Sequence, residues 1–195
     1  MLKILSENNH YLQELNTQSR SIEVRGNRLA NIHQQIGQIL GVEFINSLPR
    51  TIKEVTNPQG KLGTSEVTDF SSITIICLLR AGLYVSQGVR LLLGDNPHQY
   101  ILSNEADDIA INTIEDQHVV IVDSVINSGK TLAKYLEKVS EAKSSMVISL
   151  VMQEDFVPQI ERYYPNTQFV VSRVSQNYYV GSGTNDTGNR LFGTF

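Results

Sequence analysis

The chain has 195 residues, 41% of them hydrophobic and 18% charged, with a formal net charge of -4. This length supports one domain with a sizeable core, or one domain and an appendage, and the mild acidity gives no bulk attraction to nucleic acid. No run approaches membrane-spanning length, and Met1 to Glu7 lack the apolar core and cleavage pattern of a signal peptide.

In chain order, residues 1–17 are polar with a few aliphatic anchors and little clear period. From about Ser19 to Leu40 the pattern turns helical, with Ile22, Leu29, Ile32, Ile36 and Ile39 near one face. Ser19 or Ser21 is the expected cap and Gly41 the expected end of this packing helix. Residues 42–70 are rich in Thr, Asn, Gly and Pro, and Asn57-Pro58-Gln59-Gly60 is a turn signal. Short strands on either side of it predict an accessory hairpin outside the main sheet.

An α/β rhythm begins at Ile73. Ile73 to Leu79 reads as a buried strand, ending in Arg80-Ala81-Gly82-Leu83 and followed by a helix with Val85, Val89, Leu92 and Leu93. The single cysteine, Cys77, lies inside that apolar run and has no partner for an internal disulfide, so a buried hydrophobe in a cytoplasmic protein is expected. Gln99 to Leu102 is a short strand before an acidic loop, Asn104 to Asp108. His118 to Val122 is the next strand, with a helix running to about Glu141. Ser145 to Met152 and Gln168 to Val171 are further strands around a helix from Asp155 to Tyr163. This alternation predicts a parallel sheet with right-handed crossovers, and ligands outside the strands' carboxyl ends. The histidines are scattered, with no zinc-like spacing.

The stretch HVVIVDSVINSGKTL, His118 to Leu132, carries the clearest chemistry. An apolar strand ends at the acid Asp123, a polar loop runs from Ser124 to Gly129, and a helix starts near Lys130. Backbone amides converge in such a loop, and the helix N-terminus adds partial positive charge. A nucleotide-triphosphate loop would need glycine at position 124, which is Ser, so that template fails. The stretch resembles instead the diphosphoribosyl (PRPP) loop of type I phosphoribosyltransferases. The last segment, Asn177 to Phe195, has glycines at 181, 183, 188 and 193, and its aromatics Tyr178, Tyr179 and Phe192 give it anchors.

Three segments resemble the uracil phosphoribosyltransferases together. Leu79-Arg80-Ala81-Gly82-Leu83 matches their LRAGL motif. Asp123 to Thr131 occupies their PRPP loop, and Tyr179 to Thr194 matches a carboxyl-terminal signature of the form GYIxPGLGDAGDRxFGT. The resemblance implies a single domain: a type I phosphoribosyltransferase-like parallel sheet flanked by helices (core about 71–172), with a hood from the N- and C-terminal segments (about 1–70 and 173–195). It implies transfer of the phosphoribosyl group from PRPP to uracil, giving UMP and diphosphate. Mg2+ would be held mainly through PRPP, with no metal ligand on the protein. A cytoplasmic homodimer or higher homo-oligomer is implied as well, with no nucleic-acid or membrane partner.

By the same resemblance, Asp123 holds the ribose hydroxyls, and Ser124, Val125, Ile126, Asn127, Ser128, Gly129, Lys130 and Thr131 complete the loop around the 5′-phosphate. Arg80, Ala81 and Gly82 face the diphosphate. Val180, Asn185, Asp186 and Thr187 stand at the uracil-contact positions, and Asp186 also at the acid near PRPP. Asp123, Arg80 and Asp186 are the implied catalytic set. The chain departs from the family at several places: Ser103 stands where a diphosphate-clamping arginine is usual, and Ser182, Asn185, Thr187, Asn189 and Lys130 replace smaller or different residues. Two alternatives follow. One is a PRPP- or nucleotide-binding regulatory protein without turnover, and the other is a phosphoribosyltransferase acting on another base.

Overall fold

The structure, a computed structural model, describes residues 1–179 and 181–194. Six parallel strands form one sheet in the order β1-β8-β7-β6-β4-β5. They are β1 (Leu2–Ile4), β4 (Ile73–Leu78), β5 (Gln99–Ser103), β6 (His118–Ile126), β7 (Ser144–Gln153) and β8 (Gln168–Ser175). Val119, Val120, Ile121 and Val122 of β6 are all fully buried, because helices cover both faces of the sheet. Their alternation splits the core into two layers. Val120 and Val122 pack with α1 (His10–Arg20), α2 (Gly26–Ser47) and α3 (Leu83–Leu91). Val119 and Ile121 pack with α4 (Lys130–Lys138) and α5 (Val157–Tyr163).

The α/β rhythm appears as expected from Ile73 onward, with two differences at the site. Strand β6 does not stop at Val122 but runs on to Ile126, because Asp123, Val125 and Ile126 pair with Ser149, Val151 and Met152 of β7. Helix α4 ends at Lys138, short of Glu141. The hairpin is β2 (Arg50–Thr56) and β3 (Leu62–Thr68), antiparallel and separate from the main sheet. Asn57 Oδ1 closes its turn by accepting from the amides of Gln59 and Lys61.

The amino-terminal part differs more. One helix over 19–40 was expected; two are present, and the first begins at His10. Asn9 caps α1 by accepting from the Leu12 amide at 2.9 Å. The buried face of α1 is Leu12, Leu15, Asn16 and Ser19, a helical spacing that two polar residues conceal from an apolar count. Asn16 is satisfied there because its Oδ1 accepts from the Ser172 hydroxyl at 2.8 Å.

Gly41 does not end the second helix. It lies within α2, where an added Cβ would stand 2.9 Å from Leu92 Cδ1 and 3.2 Å from Val89 Cα. The same crossing places an ideal Cβ at Gly88 2.1 Å from the Gln34 carbonyl oxygen. Gly88→Ala is therefore expected to destabilise the protein. Alanine gains about 1 kcal/mol of helix propensity, but the methyl group meets backbone that cannot swing away. Overpacking of this kind costs about 1–3 kcal/mol in sites that do yield. A lower urea midpoint at unchanged slope is the expected result, and an unchanged or higher midpoint would mean that the helices can part at no cost.

Candidate active site

The carboxyl ends of β4 and β6 open onto a cleft of about 380 Å3. Asp123, Val125, Ile126, Asn127, Ser128, Gly129, Lys130 and Thr131 all line it, joined by Leu79, Asn104, Tyr135 and Tyr178. The loop turns sharply at Gly129, whose φ of 71° is left-handed. A Cβ there would also lie 2.0 Å from the Phe156 ring, so this turn needs glycine for both reasons. Helix α4 starts at the next residue. Its first-turn amides have no acceptor within the helix and are available to an anion in the cleft.

Asp123 is half-buried at the sheet edge. Burial raises its carboxyl to about 6, against the opposing pull of the Ser124 and Val125 backbone N–H groups. The Ser124 amide donates to Oδ1 at 2.7 Å and fixes the carboxyl's orientation. Asn127 ties the loop to the carboxyl-terminal segment: its Nδ2 donates to the Tyr179 carbonyl at 2.7 Å, and its Oδ1 accepts from the Tyr179 amide at 3.1 Å.

The motif after β4 packs backbone on backbone. Gly82 would place a Cβ 2.5 Å from the Leu78 oxygen and 2.7 Å from the Val122 oxygen, so no larger residue fits under β6. Ala81 accepts from the Ser124 hydroxyl at 2.5 Å. Arg80 faces the carboxyl-terminal segment rather than the cleft lining. It donates to Thr194 Oγ1 at 3.0 Å and to Asn189 Oδ1 at 2.8 Å, and Asp186 Oδ1 lies 4.0 Å away. Asp186 also caps helix α6 (Thr187–Phe192), accepting from the Asn189 amide at 2.8 Å.

Ser103, at the position where an arginine is usual, is fully buried. Its hydroxyl donates to the Glu105 carbonyl at 2.7 Å, so the Tyr135 hydroxyl at 2.9 Å must be the donor to Ser103. Asp108 Oδ2 accepts from the Asn104 and Glu105 amides, both at 3.1 Å, and holds the corner beside the cleft.

The expected residues thus do not all share one place. The loop lines the cleft. Arg80 and Asp186 meet at its side with Asn189. Ser124 and Thr187 line a second cavity behind Val125. Asn185 is exposed in a turn of 3-10 helix outside both linings, and Val180 lies outside the described residues. Tyr135, Asn189 and Thr194 are contacts that no sequence spacing announced. The tail motif placed the last two near the site but gave no partner for them.

A parallel sheet with an anion-ready loop after a central strand and an acid at that strand's carboxyl end agrees with the type I phosphoribosyltransferase-like fold that the sequence resembles. A family model described as uracil phosphoribosyltransferase matches residues 6–194, and the chain belongs to that family. It is similar to the uracil phosphoribosyltransferase of Clostridioides difficile, 23% identical with 100% of both chains covered. The enzyme of the same description from Pyrobaculum islandicum is 24% identical over 94% of this chain and 96% of its own. A solved protein from Aquifex aeolicus shares the fold, with a TM-score of 0.82 at 18% identity, covering 100% of this chain and 99% of that one.

Proposed function

We propose that the protein transfers the phosphoribosyl group from PRPP to uracil, releasing UMP and diphosphate. The observation that carries this reading is the loop from Asp123 to Thr131, bent at Gly129 so that its amides and the start of α4 face one cleft. In the reaction the uracil N1 forms a bond to the anomeric carbon. The bond from that carbon to the diphosphate oxygen breaks, diphosphate leaves with the electron pair, and N1 loses its proton. The sugar becomes oxocarbenium-like on the way, so catalysis rests on placed charge and fixed geometry.

In this reading the loop amides with Ser128 and Thr131 hold the 5′-phosphate, Lys130 adds a charge beside it, and Asp123 holds the ribose hydroxyls. Arg80 exchanges its tail partners for diphosphate, near Asp186. A magnesium ion fits the site as a substrate-borne ion. Among the described residues no cluster of three acidic, histidine or cysteine side chains forms a cage, and Asp123 is the one carboxylate lining the cleft. Bound through PRPP and waters, the ion would neutralise the leaving diphosphate. The same reading includes the cytoplasm and a homodimer or higher homo-oligomer. Its support is the lone buried thiol of Cys77 and the exposed Ile52, Val55 and Leu62 on the hairpin.

The test is diphosphate release from PRPP and magnesium with uracil, hypoxanthine and guanine in parallel. Uracil-dependent release is expected. PRPP binding without release for any base would favour a regulatory binding protein, and release with a purine alone would remove the uracil assignment. Arg80→Lys probes the diphosphate side separately. Lysine keeps the charge but loses the planar fork, so PRPP affinity should fall about tenfold by calorimetry. Equal affinity would take Arg80 away from the diphosphate.

A further inference from the structure

Val125 lines both the cleft and a second cavity of about 210 Å3, whose lining also includes Thr187 and Tyr179. Its walls include Arg20, Arg173, Arg190 and His33, and no carboxylate is among the described residues that line it. Guanidinium groups gathered without a counter-charge repel one another, a cost that a bound anion removes.

The bonds already made leave donors over. Arg190 gives Nη2 to the carbonyl oxygens of Ser19, Ser21 and Val24. Arg173 gives Nη2 to the Tyr179 hydroxyl at 2.5 Å. The Nε atoms of both are buried without a partner. The Arg20 guanidinium is exposed, and its charge acts on Tyr179. Tyr179 responds to the same field. Burial alone would raise its phenol, but hydrogen bonds from Arg173 and Ser175, with the charges of Arg173 and Arg20, hold it below the usual value.

His33 supplies the opposite kind of group. The Ser124 hydroxyl has one proton, and the Ala81 carbonyl at 2.5 Å takes it, because a carbonyl only accepts. His33 Nδ1, 3.3 Å from the Ser124 oxygen, must then be the donor in that contact. Nε2 is left as an acceptor. Burial, and next the charge of Arg190, lower this imidazole to about 3, so it stays neutral at physiological pH.

Building on the pyrimidine-transfer reading above, we propose that this cavity is the base subsite and that it favours a uracil ring bearing an acidic substituent. The substituent's carboxylate faces Arg173 and Arg20, and a ring N–H faces His33 Nε2. Neutral uracil offers nothing that calls for several guanidinium groups in one small cavity, whereas a ring carboxylate matches their fork of donors.

The experiment compares kcat/KM for uracil, uracil-5-carboxylate and uracil-6-carboxylate, in the whole protein with saturating PRPP and magnesium. One carboxylate is expected to exceed uracil at least tenfold. In Arg173→Ser and in Arg20→Gln that ratio should fall at least tenfold. Arg20 is exposed, so its variant keeps the test available if the Arg173 variant fails to fold. Turnover of uracil with neither carboxylate better than uracil would overturn this inference and leave the uracil reading standing. A carboxylate preference unchanged in the soluble variants would remove the preference from this cavity. No turnover with any of the three would overturn both.

Discussion

Asp123→Asn should lower kcat/KM for PRPP at least tenfold while making the protein no less stable at pH 8, and more stable if the carboxyl's surroundings stay as they are. Tenfold corresponds to about 1.4 kcal/mol of lost transition-state stabilisation, a modest demand on a group proposed to hold the ribose hydroxyls. The stability effect follows from linkage. The carboxyl's folded value of about 6 lies above its ordinary 3.8, chiefly through burial, so the native state binds a proton that the unfolded chain has already lost. Stability from this group is therefore full below pH about 4 and declines as pH rises to about 6, where ionisation costs the folded state more than the unfolded one. Its size is on the order of 3 kcal/mol at most, at 1.36 kcal/mol per pKa unit. Asparagine removes that cost and keeps an oxygen to accept from the Ser124 amide.

Activity should move the other way with pH. If the charged carboxylate holds ribose, kcat/KM rises with pH through a limb near 6 in wild type, and the limb is absent in Asp123→Asn. Chemical denaturation at pH 4 and pH 8, with kcat/KM profiles over the same range, checks both. A variant that is less stable at pH 8 and fully active would make Asp123 a structural residue.

Gly129→Ala should weaken PRPP binding at least a hundredfold. Two costs act together. A left-handed backbone at φ 71° costs an alanine about 1–2 kcal/mol, and the new methyl would overlap the Phe156 ring, 2.0 Å away. The loop relieves both by moving, which turns its amides away from a common focus. A hundredfold loss is about 2.7 kcal/mol, within what displaced charge-assisted hydrogen bonds supply. Calorimetry with PRPP and magnesium measures it. A loss of threefold or less would show that the loop geometry is not what binds the phosphate.

Much of the sheet was legible because its strands are buried on both faces. Runs such as Val119 to Val122 and Met146 to Met152 need no alternation to be read. Boundaries failed where polar residues do structural work inside an element. Asp123 and Ser124 look like loop residues, yet they belong to β6. Asn16 and Ser19 hide the buried face of α1, and Gly41 reads as a helix end although it is there to let α3 approach. The proposed phosphate loop was legible for a different reason: its groups are contiguous in the chain. The second cavity was not. Arg20, His33, Arg173 and Arg190 come from α1, α2, β8 and α6, and only the fold brings them together. Ser103 was recognised as a departure, but its buried bond with Tyr135 depends on the packing of α4 and has no sequence signature.

This cleft is proposed to join a pyrimidine to the sugar of PRPP. Mass spectrometry of a single-turnover mixture of protein, PRPP, magnesium and uracil tests it most directly. UMP and diphosphate in equal amounts are expected, with far less of each from Gly129→Ala at the same subsaturating PRPP. PRPP recovered intact beside unreacted uracil, from protein that binds PRPP, would contradict it.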